Sequence, residues 1–366
     1  MKIRDLVNPH VRDLAPYVPG KPVEELEREL GIEGSIKLAS NESPLGPSRR
    51  VIEAIFAAAE ELNRYPDDSC FRLRAALATK LGVGGDSLCL AAGSDGILEL
   101  LAKCFLGPGD QCVFPWPSFA MYPIATQGAG ASAVRVPLDA ELRADVGATL
   151  AAVGPRTRLV FLANPNNPTG TSLGAADFAR LVKELPERVV LVADEAYVEF
   201  VRRSDFPDAI AALRERPTLV VLRTFSKAYA LAGLRVGYAV GHPELIAYLE
   251  RARHPFIVSS LAQVAACAAL ADGEHLDRIR AVTHAGLAQL EAGLRALGLR
   301  FAASDANFIC VEVGPGADAL NDRLLRSGVI TRPLGGFGLT THLRVSVGTE
   351  RENERFLATL ARELRN

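Results

Sequence analysis

Lys227 stands in Arg223-Thr224-Phe225-Ser226-Lys227-Ala228-Tyr229-Ala230-Leu231-Ala232-Gly233-Leu234-Arg235-Val236-Gly237, which puts a hydroxyl, an amine and a guanidinium on one loop. The run Thr218 to Leu222 before it reads as a buried strand that delivers that loop. An amine among small residues, beside donors able to bind a phosphate, suits Schiff-base chemistry on an aldehyde such as pyridoxal phosphate (PLP). The chain has seven lysines against 34 arginines. Only Lys227 stands at a strand end among small residues with an arginine, Arg235, close behind. A solvated loop lysine is the reading this stretch alone leaves open.

Six further segments carry polar or aromatic groups within or at the ends of apolar runs. Gly93-Ser94-Asp95-Gly96 lies between a strand and an apolar helix, where free N–H groups bind an anion; an ordinary capping turn has the same composition. Ser226 and Arg235 offer donors to that anion, and Gly233 and Gly237 let the backbone pass close to it. Asn164-Pro165-Asn166-Asn167-Pro168-Thr169-Gly170 follows the strand Leu159–Ala163. Turn chemistry alone explains its content, yet a rigidly held amide there suits the phenolic oxygen of a pyridine cofactor. Val189 to Ala193 is wholly apolar and ends at Asp194, followed by Glu195, Ala196 and Tyr197. A carboxylate so placed needs a partner, and a protonated pyridine nitrogen is one; a helix cap is the alternative. Tyr197 reaches the same ligand from the same loop. In Pro117-Ser118-Phe119-Ala120-Met121-Tyr122, Phe119 offers a face for a pyridine ring or simply fills core. Arg344 interrupts the apolar strand Leu343–Val347, and a buried guanidinium calls for an anion. Arg332 in Val329-Ile330-Thr331-Arg332-Pro333-Leu334 is a second candidate, equally compatible with a surface ion pair.

Helical and strand patterns alternate from about residue 48 to 245, which predicts an α/β unit with a mostly parallel sheet. A helix is expected over Val51–Leu62 with Ser48 as N-cap. Strands are expected at Ser87–Ala92, Gln111–Phe114, Ala131–Val136, Leu159–Ala163, Val189–Ala193, Thr218–Leu222 and Val236–Val240. Beyond Pro255 come helices over 259–272 and 275–297, then a smaller α+β segment with strands Phe308–Val313 and Leu343–Val347 and a terminal helix from 350. The expected division is an arm over 1–30, a large domain over 31–255 and a small C-terminal domain over 256–366. Pro66 pushes Tyr65 into an extended loop conformation.

A net charge of −2 gives no electrostatic reason to expect nucleic acid or a membrane surface. The N-terminus has no signal-peptide pattern, and no run approaches ~18 apolar residues. The six cysteines form no Cys-x-x-Cys pair and read as reduced thiols of a cytoplasmic protein. The scattered histidines have no metal-ligand spacing, so no metal is expected.

In their order and spacing these motifs resemble the fold-type I PLP-dependent aminotransferases, and within them the histidinol-phosphate aminotransferases. The resemblance runs nearly end to end. It also rests on Val11-Arg12-Asp13-Leu14-Ala15-Pro16-Tyr17, Leu38-Ala39-Ser40-Asn41-Glu42-Ser43-Pro44-Leu45-Gly46 and Arg64-Tyr65-Pro66-Asp67. It implies that Lys227 is the Schiff-base lysine, that Asp194 pairs with the pyridine nitrogen, and that Asn167 and Tyr197 contact O3′. Phe119 takes the stacking position, while Ser94, Asp95, Ser226 and Arg235 hold the cofactor phosphate. Tyr65 reaches the phosphate of a neighbouring subunit, which implies a homodimer with active sites at the interface. Tyr17, Arg332 and Arg344 fall where the family binds the substrate's anionic end, and Asn167 borders it. The implied reaction is amino transfer between L-histidinol phosphate and 2-oxoglutarate in histidine biosynthesis. Gly96 and Phe119 depart from the acidic residue and tyrosine frequent at their positions. The tail Arg332 to Leu339 also resembles aromatic amino acid aminotransferases and threonine-phosphate decarboxylases, so both activities stand as alternatives.

Overall fold

The computed structural model describes residues 2–17 and 19–365. Its frame is a seven-stranded sheet in the spatial order Leu88–Ala91, Gly237–Gly241, Leu219–Thr224, Val190–Asp194, Thr157–Ala163, Gln111–Trp116, Ser132–Pro137. Gly237–Gly241 runs antiparallel to both strands beside it, and the other adjacent pairs of this sheet are parallel. These are the seven strands expected from the apolar runs, with ends moved by one or two residues. Successive side chains point to opposite faces. Leu191 and Ala193 join one core with Leu73, Leu77, Phe178 and Leu181, whereas Val190 and Val192 join another with Ile97, Leu101, Leu245 and Leu249. Both faces are thus covered by helices, the usual condition of a parallel sheet.

Parallel strands align their carboxyl ends along one edge. Ala163 pairs with Asp194, and Asp194 with Leu222. That register sets the Asn-Pro turn, the Asp194 loop and the Ser226-Lys227 loop side by side. The helix Gly93–Phe105 starts at the same edge. Gly93 has φ +79, and a Cβ there would run into the Arg235 guanidinium; one on Gly237 would lie 2.6 Å from the Ser94 nitrogen. Only glycine lets these two segments meet.

A four-stranded antiparallel sheet, Arg332–Pro333, His342–Ser346, Phe308–Glu312 and Arg300–Phe301, carries the helices Gly273–Ala296, Ala317–Arg326 and Glu350–Glu363. Its core holds Leu290, Leu294, Ile309, Val311, Leu324, Val345, Phe356 and Leu360. Two elements cross the expected boundaries. Strand Ile36–Lys37 pairs in parallel with Val329–Ile330 as a separate two-stranded sheet beside the four-stranded one, and Leu38 enters the core of the latter. Helix Ser260–Leu270, beyond residue 255, packs Ala262, Ala265, Ala266 and Ala269 onto the large core. The first long helix spans Arg49–Ala58, capped by Ser48, and tightens into a 3-10 turn over Ala59–Glu61. In the arm only Leu26 is fully buried among the described residues, against Ala39 and Ile330. Among the described residues no helix is long and apolar enough to cross a membrane.

Candidate active site

A cavity of about 250 Å³ opens at the carboxyl edge of the large sheet, where Arg344 of the four-stranded sheet also lines it. Lys227 projects into it from the loop after Leu219–Thr224, and its Nζ donates to the Ser40 carbonyl at 3.2 Å. Burial, then the Arg344 guanidinium, pushes the Lys227 amine down to about 8. The group is therefore a usable nucleophile and base near neutrality.

Asp194 ends its strand at the cavity floor. Oδ2 accepts from the Tyr122 hydroxyl at 2.8 Å and Oδ1 from the Ala196 N–H at 3.2 Å. Burial lifts its carboxyl to about 6, against the Tyr122 hydrogen bond, which lowers it. Tyr197 lies beside it, with its ring edge-on to Phe308 and its hydroxyl accepting from Asn41 Nδ2 at 2.9 Å. Burial pushes that phenol up to about 12. Phe119 lines the wall.

At one end of the cavity, helix Gly93–Phe105 begins without a side-chain cap, so its first N–H groups have no side-chain acceptor. Ser94 and Asp95 lie there. Arg235 donates to Ser226 Oγ at 3.3 Å and pairs with Asp95 at 3.2 Å, while Thr224 Oγ1 donates to Ser226 Oγ at 3.0 Å. At the other end, Arg344 is 7% exposed, stands on strand His342–Ser346 and donates to Asn167 Oδ1 and to the Ala39 carbonyl. Its Nε is buried with no hydrogen-bond partner. Arg332 sits directly across the ladder from Arg344. The pattern is an anion-binding cleft at both ends, with an amine and a carboxylate between.

Nearly every site residue expected from the sequence lines this one cavity: Ser94, Asp95, Phe119, Asn167, Asp194, Tyr197, Ser226, Lys227, Arg235, Arg344 and Tyr17. Two do not. Arg332 stands just outside, 6.0 Å from the Tyr17 ring centroid and 5.9 Å from that of Phe337. Tyr65 is 82% exposed and stacks on Phe256 at 4.6 Å. Ser40, Asn41 and Tyr122 were not singled out from the sequence. Asn41 had a signal, since asparagine tolerates the left-handed backbone it adopts at φ 55. A larger hollow of about 880 Å³ lies elsewhere, but its arginines are satisfied: Arg143 by Asp139, Arg202 by Glu291, Arg203 by Asp205 and Arg300 by Glu312.

The sequence matches the family of class I and II aminotransferases across residues 33–360. The chain belongs to that family. This aminotransferase is 49% identical over 361 residues to histidinol-phosphate aminotransferase 2 of Pseudomonas fluorescens strain Pf0-1, covering 98% of this chain and 97% of the relative. It is 49% identical over 369 residues to histidinol-phosphate aminotransferase 2 of Methylococcus capsulatus, covering the whole of both. Among solved structures, the histidinol-phosphate aminotransferase of Sinorhizobium meliloti in complex with pyridoxal-5'-phosphate superposes with a TM-score of 0.91 at 32% identity, covering 98% of this aminotransferase and 97% of that chain.

Proposed function

We infer that the protein transfers an amino group from L-histidinol phosphate to 2-oxoglutarate, giving imidazole-acetol phosphate and L-glutamate, with PLP as resident cofactor. Near-full-length kinship to histidinol-phosphate aminotransferases supports this reading. The observation that carries it is the cross-strand pair Arg332 and Arg344, with the Arg344 Nε buried and unsatisfied. Like charges facing across a ladder repel, and a buried guanidinium without an anion is costly. A phosphate suits the pair, and the planar guanidinium of Arg344 accepts a carboxylate equally well in the other half of the reaction.

The cavity's residues fit PLP. The uncapped helix start with Ser94, and Ser226 with Arg235 and its partner Asp95, would take the phosphate. Phe119 would lie along the ring, Asp194 would hold the ring nitrogen protonated, and Asn167 and Tyr197 would bond the phenolic oxygen. Bound PLP supplies an aldehyde carbon for the substrate's amine and a cationic ring that draws electrons from the substrate's Cα. Lys227 Nζ holds the cofactor at rest and, once displaced, takes the proton from Cα. Its lowered pKa fits both roles. Arg344 orients the substrate by its anionic end, with Arg332 and Tyr17 closing over it.

The assembly we assign is a homodimer in which Tyr65 of the partner subunit reaches the cofactor phosphate. Phe56, Leu62, Tyr65 and Phe71 stand exposed on the helices at 49–58 and 71–81 and the stretch between them, which suits a buried subunit face. The arm, large domain and small domain divide at about residues 30 and 255, with strand 36–37 and helix 260–270 tying the two domains together. Six free thiols fit a reducing cytoplasm. Single half-reactions of the PLP form with histidinol phosphate, phenylalanine and threonine phosphate, followed by absorbance, test the substrate. Histidinol phosphate should react fastest; a faster reaction with phenylalanine, or carbon dioxide release from threonine phosphate, refutes the assignment.

A further inference from the structure

We propose that Tyr122 is a positioning residue that locks the cavity floor, Asp194, to the cavity wall, Phe119. The proposal rests on the reading of this cavity as a PLP site. Tyr122 stands in the first turn of the helix Met121–Gly128 and is fully buried. Its hydroxyl donates to Asp194 Oδ2 at 2.8 Å. Its ring stacks on Phe161 at 4.8 Å with an interplanar angle of 12°, and meets Phe119 edge-on at 5.8 Å and 88°. Phe114 packs on it at 5.9 Å. Phe161 and Phe114 belong to two central strands, so the sheet fixes the ring. The ring then fixes Phe119 by its edge and Asp194 by its oxygen, and the two groups a pyridine ring would touch share one anchor.

The hydroxyl also sets the charge of Asp194. Burial favours the protonated acid, and the groups facing it are Tyr122, the Ala196 N–H, Asp95, Lys227 and the Tyr197 phenol. The Tyr122 hydrogen bond stabilises the anion, the form needed opposite a ring cation. In the Tyr122→Phe variant the ring and its stacking persist while that donor is lost. Asp194 then takes up its proton at higher pH, and the ring nitrogen loses its partner sooner as the solution is acidified.

The test compares wild type, Tyr122→Phe, Tyr122→Leu, Asp194→Asn and the Tyr122→Phe/Asp194→Asn pair, all loaded with PLP. PLP dissociation constants and the absorption of bound cofactor are measured across pH. In Tyr122→Phe the acid limb should move up by about one pH unit, and PLP retention on that limb should weaken roughly tenfold, the loss of one hydrogen bond to a charged group. Thermal unfolding should stay near wild type, because only an oxygen is removed. In the Asp194→Asn background the same change should leave the pH profile untouched. Tyr122→Leu should also alter the shape of the cofactor band by freeing Phe119. A Tyr122→Phe profile that overlays wild type, or an equal shift in the Asp194→Asn background, overturns the proposal and leaves the cofactor reading intact. Failure of wild type to yield PLP trapped on Lys227 by borohydride overturns both.

Discussion

The Lys227 amine has its pKa lowered from 10.5 to about 8, first by burial and then by the Arg344 guanidinium, with Glu42 and Asp95 acting in the opposite direction. The consequence is kinetic. At about pH 7.4 an amine of pKa about 8 is neutral in roughly a fifth of the molecules, against about one in a thousand at 10.5, a gain of about 200-fold in reactive amine. Apoprotein should therefore capture added PLP covalently with a rate that rises with pH and levels off just above 8. Quenching with borohydride at set times and locating the label by peptide mass gives that rate at Lys227 alone. Arg344→Gln removes the second cause and should move the midpoint up, while Asp95→Asn removes an opposing charge and should move it down. A wild-type midpoint near 10, or an Arg344→Gln midpoint unmoved or lowered, refutes the account of how this amine is activated.

Asp194→Asn should keep PLP but lose turnover by orders of magnitude, because an amide supplies no charge to the ring nitrogen. The same variant has a signature in the apoprotein. The folded Asp194 titrates near 6 and the unfolded one near 3.8. The folded state therefore holds a proton that the unfolded chain releases, and stability falls as pH rises between these values by up to about 3 kcal/mol. Denaturant titrations of apo Asp194→Asn should lack that component of the slope; an unchanged slope would assign it elsewhere. Tyr65→Phe should weaken PLP retention by roughly 1.5–3 kcal/mol. Mixed with Lys227→Ala chains, it should give a heterodimer whose one Lys227-bearing site holds PLP like wild type. Retention stuck at the Tyr65→Phe level would mean that Tyr65 serves its own subunit.

The sheet was legible because its strands are buried on both faces and so read as unbroken apolar runs. For the same reason Asp194 and Lys227 stood out, as charged groups at the ends of such runs. Tyr122 gave no such signal: on an apolar helix it looks like any core aromatic, and its role appears only when Asp194 arrives from 72 residues away. Asn41 and Arg344 likewise acquire their partners across 156 and 305 residues, distances at which spacing says nothing. Helix Ser260–Leu270 was assigned past the change of pattern at Pro255. An alanine-rich helix with apolar residues nearly all round carries no stripe to say which core it joins.

Asp194, Lys227 and Arg344 of this cavity are each displaced by burial toward the neutral form, Asp194 upward, Lys227 and Arg344 downward. Each displacement weakens the empty fold, since a buried charge without its counterpart is destabilising. The shifts share a remedy. A ring cation beside Asp194, a covalent bond to the Lys227 nitrogen and a substrate anion on the Arg344 Nε would each remove one of these costs. The protein should therefore gain stability stepwise, first with PLP and then with a substrate anion, as expected when ligands bind only the folded state. Arg344→Gln should abolish the second increment and spare the first. Equal stabilisation of this variant by inorganic phosphate would place the substrate's anionic end elsewhere.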